Sequence, residues 1–203
     1  MSEKYGTDQD PYVIYGTQTL KNRLGLTDPD ELERAEHELT TLESQCIPFR
    51  EPPYDLQYLN QIHFRLFREI YHWAGQLRTV DISKGDTHFC NVNRIEPEAV
   101  KLFNRLANEG YYVGLPREAL VECVAEFYAD LNMIHPYREG NGRAQRILFE
   151  HLIVNAGFSL SWQGITRDTW IAANIEGVYC NYQPLVNIFE HCIGQPLDNV
   201  SSQ

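Results

Sequence analysis

"HPYREGNGRAQR", residues 135–146, packs three arginines and two glycines into twelve residues of a chain whose net charge is −11. Upstream, "PREALVECVAEFYADLNMIHP" (116–136) carries Leu120, Val124, Phe127, Leu131 and Ile134 at helical spacing. It ends at Pro136, which disfavours helical geometry in the residue before it. Downstream, "RAQRILFEHLIVNAG" (143–157) keeps Ala144, Ile147, Leu148 and Leu152 on one face and stops at Gly157. The quoted stretch is therefore a joint between two helices. The amides of Gly140, Asn141, Gly142 and the first turn have no intrahelical acceptors, and with the positive end of the helix dipole they form an anion site. Arg143 and Arg146, three apart on that helix, oppose the dipole at a cost of roughly 0.3–1 kcal/mol each unless an anion compensates. Guanidinium forks match phosphate oxygens, so a bound polyphosphate removes the anomaly.

Glu139 lies beside this nest of amides and would repel a phosphate unless a cation bridged them. Mg²⁺ typically uses one carboxylate plus substrate phosphates in that way. His135, at the end of the preceding helix, is within a loop's reach of the same spot and can take a proton from an incoming hydroxyl. The helix end favours the charged imidazole and the nearby arginines favour the neutral one, two opposed pulls. Arg138 reads as a solvated side chain without a role.

The rest of the chain is mostly helical. "TDPDELERAEHELTTLES" (27–44) opens on Thr27 or Asp28 as cap, has Pro29 near its first position, and repeats Leu32, Ala35, Leu39 and Leu42. "DLQYLNQIHFRLFREIYHWAG" (55–75) is expected to form one helix with Leu56, Leu59, Ile62, Leu66, Ile70 and Trp73 as its stripe and Gly75 as its stop. "CIPFREPPYD" between them is a loop. "QLRTVDISKGDTHF" (76–89) differs: Leu77, Val80 and Ile82 are β-prone, and Lys84-Gly85-Asp86-Thr87 is turn chemistry, so a short hairpin is expected. A helix over 95–110 and two shorter ones beginning near Thr166 and Pro184 complete an all-α domain with one hairpin. The domain spans 1–196, followed by a frayed tail at 197–203. His63, His72, Trp73 and the Tyr111-Tyr112 pair read as packing residues.

Composition narrows the function. With 17 basic and 28 acidic residues, the chain has no broad surface for tracking phosphates, so a DNA-binding helix pair and general nucleic-acid binding are disfavoured. Five scattered cysteines, odd in number and without a C-x-x-C pair, read as reduced thiols rather than a disulfide framework or zinc site. The N-terminus lacks the look of a signal peptide and no apolar run approaches membrane-spanning length, so a cytoplasmic protein is expected.

The twelve residues from His135 to Arg146 resemble the Fic motif, H-P-F-x-[D/E]-G-N-G-R-x-x-R, with Tyr137 in place of the usual Phe. "DPY", "NRLGL", the 62–89 region and "AGF.L.W" are similar to the bacterial Fic-toxin branch. The resemblance implies a Fic fold, a helical bundle with a β-hairpin flap, and a protein adenylyltransferase that moves AMP from ATP to a hydroxyl of a target protein. It implies His135 as the base, Glu139 as the Mg²⁺ ligand, and Gly140, Asn141 and Gly142 as the anion hole. Arg143 would then contact the phosphates and Arg146 the γ-phosphate, while Lys84, Gly85, Asp86 and Thr87 form the flap on which the target docks by strand addition. The intact Gly140-Asn141-Gly142-Arg143 run separates the chain from the phosphorylating Doc-like branch. Donors such as UMP or phosphocholine, and a module that only binds nucleotide, stay open. The branch's inhibitory pattern, [S/T]-x-x-x-E-[G/N], is missing: Glu176-Gly177 follows Ala172, and Thr27…Glu31 precedes Leu32. A separate small antitoxin carrying the inhibitory helix is thus the expected partner. The ATPase subunits of DNA gyrase and topoisomerase IV are the expected targets.

Overall fold

The computed structural model describes residues 10–197. Among the described residues there are seven α-helices: α1 (Pro29–Gln45), α2 (Leu56–Phe67), α3 (Ile95–Asn108), α4 (Arg117–Ile134), α5 (Asn141–Asn155), α6 (Arg167–Val178) and α7 (Gln183–Cys192). Strands β1 (Ser83–Lys84) and β2 (Thr87–His88) form the expected hairpin, with Ser83 opposite His88 and Lys84 opposite Thr87. A second antiparallel pair, β3 (Phe158–Leu160) and β4 (Ile193–Pro196), was not legible beforehand: β4 follows directly on α7 and finds its partner more than thirty residues upstream. The fold is the all-α bundle with a β-hairpin flap, plus this small added sheet. Beyond Leu197, the tail expected to fray lies outside the described residues. Among the described residues no helix is long and apolar enough to cross a membrane.

Helix α5 is the axis of the core. Ala144, Ile147, Leu148, Phe149, Leu152 and Ile153 are all buried, and the helix packs against α2, α4 and β3. Burial on several faces explains why its apolar residues exceed one stripe. Helix α4 presents Leu120, Val124, Phe127, Leu131 and Ile134 to the core and packs against α3, α5, α6 and α7.

Two helices depart from the expected patterns. In α1 the inward face is Leu32, Glu36 and Thr40, while Leu42 is exposed. Asp28 is the cap, accepting from the amides of Asp30 and Glu31. Helix α2 ends at Phe67 rather than running to Gly75. The amides of Ile70 and Tyr71 bond the Phe67 carbonyl at 2.9 and 2.8 Å, and the chain then turns back along α2. Gly75 (φ +76°) comes so close that a Cβ there would lie 2.8 Å from Phe64 Cβ and 2.9 Å from the Asn60 carbonyl. Real Cβ atoms essentially never approach so closely, so glycine is required. Ile70 stays buried and Trp73 half-buried after the break, which is why the stripe looked continuous.

Arg138 is not solvated. Its guanidinium is buried and donates through Nε and Nη2 to Asp10 Oδ2, each at 2.6 Å. The other Asp10 oxygen accepts the Tyr12 amide at 2.9 Å, and the Tyr12 ring meets Trp73 edge-on at 5.4 Å. A charge pair ties the N-terminal segment to the α4–α5 joint. Breaking one side of a buried pair strands the other charge, at about 3–5 kcal/mol. Arg138→Ala should therefore lower unfolding free energy by about that amount in denaturant titrations. The double replacement Asp10→Leu, Arg138→Met should recover most of it, and equal losses in both variants would contradict this account.

Candidate active site

The joint between α4 and α5 is built from unusual backbone. His135 caps α4 in the left-handed region (φ 46°, ψ 63°), rare for a residue with a Cβ, while Gly140 caps the start of α5 at φ 82°. Asn141, the first residue of α5, folds back over the loop: its Oδ1 accepts the Tyr137 amide at 2.9 Å and its Nδ2 donates to the Tyr137 carbonyl at 2.8 Å. His63, fully buried on α2, supports the loop from below. The Gly75 amide donates to His63 Nδ1 at 2.8 Å, so Nε2 carries the proton and donates to the Glu139 carbonyl at 2.9 Å. Burial holds the His63 pKa down at about 3, so the ring is neutral and suited to both bonds. It stacks on Tyr137 with centroids 3.8 Å apart. The Tyr137 hydroxyl donates to Asn60 Oδ1 at 2.7 Å, so tyrosine fits buried where the motif usually has Phe. His63 thus does more than pack, and only its place opposite Glu139 reveals it.

The His135 ring is oriented from two sides. The Asn132 carbonyl lies 3.0 Å from Nδ1, and a carbonyl can only accept, so the proton sits on Nδ1 and Nε2 keeps the lone pair. Phe89, just beyond the hairpin, stacks on the ring at 3.9 Å and 18°. Burial pulls the pKa from 6.5 to about 4, against the Asn132 carbonyl and Glu139; Arg78 and Lys84 push the same way as burial. Desolvation, absent from the two pulls visible in the sequence, decides the matter.

The two glycines of the nest answer different demands. A Cβ on Gly140 would lie 2.3 Å from the Phe67 ring, so the fold itself requires this glycine. A Cβ on Gly142 would meet nothing within 4 Å. Gly142 is exposed at the start of α5, where no side chain caps the helix, and the space above it suits close approach by a ligand.

The arginines part company. Arg143 turns toward α1: its Nη2 lies 2.5 Å from Glu36 Oε2 and 3.4 Å from Glu139 Oε1, with its guanidinium 4.7 Å over the Phe67 ring. Glu36 also accepts the Tyr71 hydroxyl. Burial raises the Glu36 carboxyl above its usual range, and Arg143 opposes that shift. Arg146 lies a turn further on, its guanidinium 5.5 Å over Trp162 and 5.4 Å over Trp170. The Glu139 carboxylate accepts the Gly140 amide at 2.9 Å, placing it on the rim of the nest. His135, Glu139, the nest and Arg143 converge at this joint. Lys84, Gly85 and Asp86 are exposed on the hairpin, and Thr87 is half-buried.

Glu36, Tyr71, His63 and Arg78 were missed as site residues. For Glu36 a signal existed: an acid four residues from Leu32 and four from Thr40, on the face that turned inward.

The assembled site can be compared with known proteins. The Fic/DOC family model matches residues 53–153. The "Probable protein adenylyltransferase Fic" of Salmonella typhimurium is 43% identical over 195 residues, covering 96% of this chain and 98% of that one. The Escherichia coli protein of the same name is 42% identical over the same shares. The chain belongs to the Fic/DOC family. Among solved structures, the BepC protein of Bartonella tribocorum, with bound AMPPNP, is 30% identical with a TM-score of 0.83, covering 92% of this chain and 97% of that one. The N-terminal Fic domain of a Bartonella quintana effector, with bound ADP, is 29% identical with a TM-score of 0.84, covering 92% and 95%. As a Fic protein, this chain keeps both motif arginines and both glycines of the nest.

Two outcomes follow from the geometry. Gly142→Ala should leave folding intact or raise stability by up to about 1 kcal/mol, since alanine is the better helix former, while weakening ATP binding measured by calorimetry. Gly140→Ala should instead lower the melting temperature sharply through its clash with Phe67. As for pH, an ordinary histidine is half protonated near 6.5, whereas His135 stays neutral until pH nears 4. Its ring resonances should therefore stay flat down to about pH 5.5 in NMR titrations. The unfolded chain takes up these protons first. The stability contributed by neutral His135 and His63 is thus complete above pH 6.5 and lost progressively as pH falls toward the folded values of about 4 and 3.

Proposed function

We propose that this Fic protein is a protein adenylyltransferase that transfers AMP from ATP to a hydroxyl side chain of a target protein. One observation carries the reading: a neutral histidine with its proton on Nδ1 stands beside an uncapped helix start whose Gly142 leaves room for a ligand. His135 Nε2 takes the proton of the target hydroxyl as that oxygen bonds to the α-phosphorus. The bond from the α-phosphorus to the bridging oxygen breaks, and pyrophosphate leaves with the electron pair. The amides of Asn141 and Gly142 hold the phosphates, joined by that of Gly140 when Glu139 turns to a cation, and Arg143 balances their charge. Arg146, flanked by Trp162 and Trp170, holds the γ-phosphate and so orients the α-phosphate. The hairpin at Lys84–Thr87 takes the target segment as an added strand, placing its hydroxyl near His135.

The donor set suits a cation ligated mainly by substrate. The Glu139 carboxylate stands on the rim of the nest, where it accepts the Gly140 amide. That matches Mg²⁺, which commonly takes one carboxylate with phosphate oxygens and water, and which when bound neutralises phosphate charge. The partners follow the resemblance: a small antitoxin whose inhibitory helix pairs a glutamate with Arg146, and the ATPase subunits of gyrase and topoisomerase IV as targets.

Incubation with labelled ATP, Mg²⁺ and a bacterial lysate tests this reading. Wild-type protein should label a discrete band, and His135→Ala should lower labelling by at least about 10²-fold, the scale of a lost general base. Labelling that survives the substitution, or that follows another donor instead of ATP, overturns the assignment. Mass spectrometry of the band names the target.

A further inference from the structure

Outside the motif, Arg78 makes four side-chain hydrogen bonds, all to backbone carbonyls. It is 2% exposed and sits between the hairpin and the end of α4. Its Nε donates to the His135 carbonyl at 2.9 Å and its Nη2 to the Ile134 carbonyl at 3.3 Å. On the other side Nη1 donates to the Val80 carbonyl at 2.6 Å and Nη2 to the Cys90 carbonyl. Val80 and Cys90 are the two stems of the segment that carries the hairpin. The Arg78 amide adds a bond to the Pro136 carbonyl at 2.9 Å, and Asp81 lies 3.8 Å from Nη1. A buried guanidinium is costly unless its donors are used, and a helix C-terminus is where a cation is favoured. Four carbonyls from two elements meet both conditions.

The joint explains the need for such a clamp. His135 is held in the left-handed region without a glycine's freedom, a conformation that persists only where its surroundings over-determine it. Arg78 bonds the carbonyl of that very residue. The hairpin, by contrast, has only two residues per strand and little of its own to hold its place. Its stems are fixed at Val80 and Cys90, and the Cys90 amide donates to the Met133 carbonyl of α4 at 2.9 Å.

We propose that Arg78 is a positioning residue: by clamping both stems of the flap to the last carbonyls of α4, it sets where a docked target hydroxyl stands relative to the His135 ring. Arg78 is buried, so its role runs through His135 and the flap stems rather than through contact with nucleotide or target. The nucleotide nest lies on α5 and is supported separately by His63, Asn141 and Phe67. Loss of the clamp should therefore separate transfer from donor binding. The inference rests on the transfer reading, because the distance it sets matters only if His135 receives a proton from a docked hydroxyl.

The test uses Arg78→Gln and Arg78→Lys. Labelling of the lysate band from labelled ATP should fall by about 10²-fold, as a misplacement near 1 Å costs, while the ATP dissociation constant stays within about twofold. Lysine keeps the charge but not the fork, so Arg78→Lys should recover only a small part of the loss. Amides of residues 83–90 should exchange with solvent faster in both variants, and those of α5 should not. Unchanged labelling overturns the proposal. So does an equal loss of ATP affinity, which would make Arg78 a support of the whole fold. Hydrogen exchange on wild-type protein decides the case even if neither variant folds: the amides of Cys90 and His135 should open as one unit, and independent opening overturns the clamp. Should wild-type protein label nothing, the transfer reading fails, and the exchange results still report on Arg78.

Discussion

The constraint on which this structure depends is the reversal between α4 and α5, where the chain must turn with positive φ at both His135 and Gly140. Neither helix can lengthen into the joint. Pro136 blocks α4, and Gly140 sits so close to the Phe67 ring that only glycine fits. The neighbours then hold what the backbone would not keep by itself. Arg78 bonds the His135 carbonyl, His63 bonds the Glu139 carbonyl, and Asn141 brackets Tyr137 on both sides. The result is a loop braced from several sides, whose histidine is fixed in one tautomer. Preorganisation of this kind lets electrostatic groups act without rearranging during the reaction.

The three arginines of residues 135–146 show how identical side chains acquire different tasks. Arg138 is buried against Asp10 and serves the fold, fastening the N-terminal segment over the joint. Arg143 is half-buried between two carboxylates and an aromatic face. Arg146 lies 5.5 Å from the Trp162 ring and 5.4 Å from the Trp170 ring, aromatic neighbours that hold a guanidinium without neutralising it. Charge balance in this acidic chain is therefore local. A bookkeeping of net charge says little about the site, since each guanidinium answers to what lies within a few ångströms.

Much of the fold was legible because helical periodicity depends on residues three and four apart. The stripes of α4 and α5, the Asp28 cap of α1 and the turn at Gly85-Asp86 all emerged from local spacing. The failures share a cause. Helix α2 stops at Phe67 although no proline or glycine stands there, because the chain gains more by folding Tyr71 toward Glu36 and Gly75 onto α2 than by another helical turn. Strands β3 and β4 pair across a long stretch of sequence that no local window spans. Arg78 reads as an ordinary polar residue until both flap stems and the end of α4 surround it.

What the sequence by itself determined was the chemistry of residues 135–146: a base, an acid, a glycine-asparagine-glycine turn and two arginines at the start of a helix. Those depend on side-chain identity and short spacing, which survive without a fold. Only the tertiary structure decided which nitrogen of His135 keeps its lone pair, that burial makes the ring neutral, and that the two glycines answer to different demands. It alone also moved Arg138 from solvent into the core and brought Glu36 and Arg78 to the site. Desolvation and close approach come from residues distant in the chain, and they set protonation and geometry.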